Sequence, residues 1–189
     1  DAIEGQLRKK AFWLMFYGYI HQTYNLRNER LAFLDTTILR DINLEDLMPA
    51  PVDDEFISAS GILPCPEDVA SASLTAGFNL HSRIFAAGLE PLCANAKQSC
   101  ICCETKDPVR RLAALKDRLN HLKYMLDAVL PAFRPWNTKV AGTTTTSAIT
   151  TDLDEVANTQ REAIRANVHV THLWLQIMLL DHIDALVAR

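Results

Sequence analysis

The sequence predicts an all-α protein, an irregular helical domain of about four to six helices with a long C-terminal core helix. Three observations predict it. Apolar residues recur at three- and four-residue steps in each long apolar stretch, and no stretch alternates with the period of two that a strand requires. Prolines and a Gly/Thr-rich segment cut the chain between those stretches. The composition, 49% hydrophobic and 22% charged, is that of a globular chain, and 189 residues suit one domain that buries its own core.

The first helix runs from Ile3 to about Arg27. Leu7, Ala11, Phe12, Met15, Phe16, Tyr19, Ile20 and Thr23 keep the helical step, while Trp13, Leu14 and Tyr17 fill most of the remaining circumference. A helix apolar nearly all round is expected to be central and buried on several sides. Leu31 to Leu39 follows as a short helix, with Asp35 and Thr36 as caps. Pro49, Pro51, Pro64 and Pro66 then make residues 48 to 66 an extended connector, because each proline fixes its own φ and biases the residue before it.

The next helix is capped by Ser71 or Ser73 and carries Leu74, Phe78, Leu80, Ile84, Phe85 and Leu89 on one face up to about Pro91. Gly77 and Gly88 either weaken it or allow close packing. Asn95 to Lys106 is a polar, cysteine-containing loop. Asp107 and Pro108 open a third long helix whose Leu112, Leu115, Leu119, Leu122, Leu126 and Val129 form an a/d seam, ended by Pro131 and Pro135. That seam is shorter than a sustained coiled coil, so it is expected to pack inside the domain. Residues 137 to 151 form a flexible loop, and Asp152 with Glu155 makes a capping box for the longest helix, which runs nearly to Arg189.

Charge and composition limit the partners. The net charge of -4 gives the domain no positive field for nucleic acid. Leu173 to Leu180, the longest apolar run, is broken by Gln176 and is far shorter than the roughly 20 residues of a bilayer span, so no membrane is expected as a partner. The abrupt start at Asp1, without a secretory pattern, suggests a piece of a longer protein. Five cysteines, with Cys102 and Cys103 adjacent, suit unpaired thiols in a reducing compartment, and the paired spacing of a zinc site is missing.

Catalytic patterns fare no better. Asp53-Asp54-Glu55 is consecutive after two prolines and reads as a solvated turn that caps the next segment. His169 and His172 share a helix face, but no Glu lies between them as a metalloprotease helix would need, so a hydrogen-bonded core pair or a polar spot in a pocket is expected. No glycine-rich phosphate loop, nucleophile elbow or Cys-x-x-Cys pair occurs. No enzyme activity and no cofactor are expected from these residues.

Arg8-Lys9-Lys10 leading into Phe12-Trp13 and Phe16, then Asp41-Ile42 and Leu47 through Pro51 with Val52-Asp53-Asp54-Glu55, resembles the fungal-specific transcription factor domain, the regulatory middle region of fungal binuclear zinc-cluster factors. Val168-His169-Val170-Thr171-His172 before the apolar run is similar to that family's late helix. The chain departs from the family in three places. It has Ile20-His21 where an Asp-Arg pair is usual, Asn28-Glu29-Arg30 where a Gly-Arg-Pro turn is usual, and Leu180-Asp181-His182-Ile183 in place of a Leu-His-Arg-Pro ending.

These departures suggest a divergent branch, with the sugar-responsive regulators of starch, maltose or plant-polysaccharide use as the nearest fit. The resemblance implies a nuclear regulator that reaches DNA through a zinc cluster outside these residues, so zinc is expected only there. It also implies a small-molecule inducer, or a homodimer or co-regulator protein, as partner. Trp13, His21, Arg83, His169, His172 and Trp174 are the candidate lining of a regulatory pocket, being aromatic or polar-tipped groups on helices that must pack together. A plain helical interaction module without a ligand is the alternative.

Overall fold

The computed structural model describes residues 1–25, 39, 42–89, 108–127, 129–134 and 152–188. The expected helix over 31 to 39, apart from Leu39, lies outside the described residues, as do the loops at 95 to 106 and 137 to 151 and the Asp107 cap. The fold is all-α, with five helices among the described residues. They are α1 (Ala2–Asn25), α2 (Glu67–Ala72), α3 (Leu74–Gly88), α4 (Pro108–Tyr124) and α5 (Asp152–Val187). Short 3-10 turns at Leu44–Leu47, Asp54–Phe56 and Pro131–Phe133 punctuate the connections. Within the connector, Ile57–Ser58 (β1) and Gly61–Ile62 (β2) pair antiparallel, a hairpin too short for a periodicity to betray it.

The centre of the fold is the packing of α3 on α5, with α4 laid on α5 and α1 against α3. Two glycines permit the close approach. A Cβ at Gly77 would lie 2.5 Å from the Phe133 ring and 2.7 Å from Ile164 Cγ2, and one at Gly88 would lie 2.7 Å from Leu175 Cδ2. Of the two readings of these glycines, close packing is therefore the one realised. The main core joins Trp13, Phe16, Ile20, Ile84, Phe85, Leu122, Val168, Leu175 and Leu179, and a smaller cluster of Ala76, Val129 and Phe133 caps one end. The leucine seam of α4 packs inside the domain, with Leu115 and Leu122 buried and Leu112, Leu119 and Leu126 packed against the core.

The buried face of α3 keeps Ile84 and Phe85 of the apolar face expected for it and otherwise differs. Thr75, Asn79 and Ser82 are buried, whereas Leu74, Phe78, Leu80 and Leu89 are only partly so. Small and hydrogen-bonding residues face the closest neighbours, because large ones would hold the helices apart. Ser73, not Ser71, is the N-cap, and its Oγ accepts from Ala76 N at 3.0 Å.

Two helices are less enclosed than their composition predicts. On α1, Trp13, Phe16, Ile20 and Tyr24 are buried, but Ile3, Leu7, Leu14 and Met15 are exposed. On α5 one face carries the core and the opposite face, centred on Leu173 and Ile177, is bare. By length and composition alone, Glu155–Val187 would suffice to cross a membrane, with a best window of mean hydropathy 1.2 of which 28% is buried. The core helix of a water-soluble domain meets the same criterion.

Candidate functional site

The two ends of the stretch from Arg8 to Phe56 meet. The face of α1 that carries Gln6, Lys9, Lys10 and Trp13 clasps the proline segment, largely through its main chain. Trp13 Nε1 donates to Leu47 O at 3.0 Å, Lys9 Nζ to Met48 O at 3.1 Å, and Ala50 N donates to Gln6 Oε1 at 2.8 Å. Lys10 pairs with Asp54 at 3.2 Å. From the other side α3 holds the same segment. Asn79 Nδ2 donates to Pro49 O at 2.8 Å, Ser73 Oγ to Pro51 O at 3.0 Å, and Leu74 N donates to Asp53 Oδ1 at 2.8 Å. Prolines lack an N–H and the segment builds little ladder of its own, so side chains satisfy its carbonyls: Asn79 and Ser73 those of Pro49 and Pro51, Trp13 and Lys9 those of Leu47 and Met48.

Between this segment, α2 and α3 lies an open cleft of about 380 Å³, lined by Glu45, Pro49, Pro51, Ser71, Asn79 and Arg83 among others. Its mouth carries the Arg83 guanidinium, bound to both carboxylate oxygens of Glu45 through Nε at 3.0 and 3.2 Å and Nη2 at 2.9 Å. On its floor Asn79 is 4% exposed, and its Oδ1 has no partner among the described residues. A buried acceptor left unpaired costs free energy and is recovered by any donor that reaches it.

A second assembly joins α1, α3 and α5 through rings. His21 lies against Trp174 with centroids 4.4 Å apart and meets Phe85 edge-on at 5.3 Å. Tyr17 stacks on Phe85 at 4.3 Å and bonds Ser82 at 2.6 Å through its hydroxyl. Burial pushes that phenol well above the usual tyrosine range. His81 sits 5.0 Å from both Tyr17 and Phe85, with Nε2 2.8 Å from Thr171 Oγ1. Burial, and then the nearby His21, lowers its pKa to about 4, so the ring is neutral at pH 7. Burial lowers His21 as well.

Four of the six candidate residues fall in three places. Trp13 belongs to the clasp, Arg83 to the cleft, and His21 with Trp174 to the ring assembly. His169 and His172 fasten α5 elsewhere. His169 Nε2 donates to Phe133 O at 3.2 Å; His172 Nε2 donates to Leu122 O at 2.7 Å, leaving Nδ1 to accept from Gln176 at 3.0 Å. Each bonds a different backbone carbonyl, His172 buried and His169 half-buried, and among the described residues no single pocket collects all six.

Residues that the sequence left unmarked carry as much. His81 falls on one helix face with Phe78 and Phe85, a histidine inside an apolar repeat, and that signal was available. Asn79 and Glu45 gave none, since their partners, Pro49 and Arg83, lie 30 and 38 residues away. Among the described residues no group of three or more His, Cys, Asp or Glu side chains is placed to hold a metal ion. Cys65, beside the acidic turn, has its thiol pKa pushed up by partial burial and then by Asp53, Asp68 and Glu55, which keeps it a weak nucleophile. No protein-family model matches the chain, and neither a curated protein nor a solved structure matches it.

Proposed function

We propose that this chain is the regulatory domain of a fungal zinc-cluster transcription factor, controlling transcription by RNA polymerase II in the nucleus and sensing a small inducer of carbohydrate catabolism. What supports the reading is that the stretch carrying the resemblance is one physical unit. Lys9 and Trp13 bind the carbonyls of Met48 and Leu47, so the basic-aromatic helix and the proline segment close on each other. DNA would be reached through a zinc cluster elsewhere in the protein, and this domain itself would need no cofactor.

The cleft is the place where an inducer would act. A hydroxyl-bearing ligand finds Arg83 and Glu45 at the mouth and the unpaired Asn79 Oδ1 below them. Asn79 Oδ1 is buried and unpartnered in this state, and a ligand shifts two states only by binding them differently. The test joins this chain to a heterologous DNA-binding domain and reads a reporter with and without maltose. The expected result is a sugar-dependent reporter that Arg83→Ala flattens. A reporter indifferent to maltose and related sugars overturns the sensing role, and a gene without a six-cysteine cluster upstream of Asp1 overturns the family.

A second reading, an interaction module without a ligand, is favoured by the bare apolar face of α5.

A further inference from the structure

The bare face of α5 is periodic. Val156, Val170, Leu173, Ile177, Leu180 and Val187 are all exposed and follow one heptad register of a and d positions, with Ala163 and Ala166 filling the same register between them. Among the described residues none of these positions serves the core, which takes Val168, Leu175, Leu179 and Ile183 from the other side of the helix. The central four are 65%, 58%, 54% and 46% exposed. The stripe is about 46 Å long. Its large side chains alone place on the order of 500 Å² of apolar surface in one strip, at the upper end of what a monomer keeps bare. Covered by a matching strip and its flanks, it approaches the roughly 800 Å² per partner of a stable interface.

We propose that this face pairs antiparallel with the same face of a second copy of the chain. The area of the strip suits a second copy, and charge selects the direction. Asp184 is the one charged residue in the register. In a parallel pair it would oppose Asp184 of the second copy, like charge against like charge in a desolvated seam.

In an antiparallel pair whose two-fold axis lies level with Leu175, Val170 meets Leu180 of the second copy and Leu173 meets Ile177. Asp184 then meets Ala166, whose small side chain leaves the carboxylate a path to water. Asn167, on the flank, comes within two residues, about 3 Å along the axis, of the level of Asp181 of the second copy and can donate to it. The opposed helix dipoles favour the same direction.

Dimerisation and the regulatory reading separate experimentally, since a monomer would leave the cleft and its response to sugar untouched. The test is sedimentation equilibrium of the full chain from about 1 to 100 µM, a range that brackets micromolar association. The wild type is expected to be a dimer. Ile177→Glu should weaken association at least a hundredfold with unchanged helical circular dichroism, because Ile177 does not serve the core. Ala166→Glu should weaken it about tenfold, and adding Asp184→Lys should restore it, a rescue possible only when positions 166 and 184 of different copies meet.

A wild type that stays monomeric throughout overturns the proposal. Loss of association in Ala166→Glu without rescue by Asp184→Lys overturns the antiparallel arrangement. Flotation of the wild type with phosphatidylcholine/phosphatidylserine vesicles would assign the face to a bilayer and overturn the proposal as well.

Discussion

His81 is held between the rings of Tyr17 and Phe85, 5.0 Å from each, and its pKa of about 4 makes stability depend on pH. In the unfolded chain the imidazole takes its proton near pH 6.5. The folded state resists protonation until about pH 4, so the contribution is complete above pH 6.5 and is lost as pH falls towards 4. His21, lowered in the same direction, adds to the loss. Urea denaturation should find the protein about 2 kcal/mol less stable at pH 5 than at pH 7 from His81 alone. In His81→Gln most of that difference should vanish, and an unchanged pH dependence would place its origin in other groups.

Gly88 offers a second measurement at this scale. A methyl group there would sit 2.7 Å from Leu175 Cδ2, in the packing of α3 on α5. Gly88→Ala gains helix propensity on paper, yet the overpacking should dominate and cost about 1–3 kcal/mol. A denaturation midpoint at or above the wild-type value would show instead that Leu175 yields at little cost.

Among the elements, the proline segment is the one whose position depends on the others. It has hardly any regular structure of its own and is held by α1 on one side and the first turn of α3 on the other. Ser73 serves twice, capping α3 through Ala76 N and donating to Pro51 O. Ser73→Ala should therefore cost more than an ordinary cap, about 2 kcal/mol against the usual 1. The loss should be non-additive with Asp53→Ala, because Asp53 Oδ1 binds Leu74 N in the same turn. Strict additivity in a double-mutant cycle would mean that the two caps act independently. The capping residue itself was readable, as Ser71 or Ser73 before an apolar repeat. Its second bond was not, because Pro51 is 22 residues away and nothing local marks the pairing.

Across the whole molecule the periodicity of the sequence sets which segments are helical, and all five helices lie within the expected segments or, for α2, at the exit of the connector. Periodicity does not say which side of an apolar helix finds a neighbour. α5 reads as apolar on most faces, yet Val168 and Leu175 go to the core while Val170, Leu173 and Ile177 stay bare, and the difference lies in which side α3 and α4 pack against. The candidate site was legible one residue at a time, Trp13, His21, Arg83 and Trp174, but the grouping that separates clasp, cleft and rings is a tertiary fact.

One helix thus carries both the core and the proposed seam, so association should stabilise the fold by mass action. Each tenfold rise in concentration contributes about 1.4 kcal/mol per dimer, half of it to each chain. For a chain of this size that raises Tm by about 2 °C. Differential scanning calorimetry over two decades of concentration should show the rise in the wild type and a flat Tm in Ile177→Glu. A Tm equally flat in both would mean that the face of α5 stays unpaired while the domain is folded.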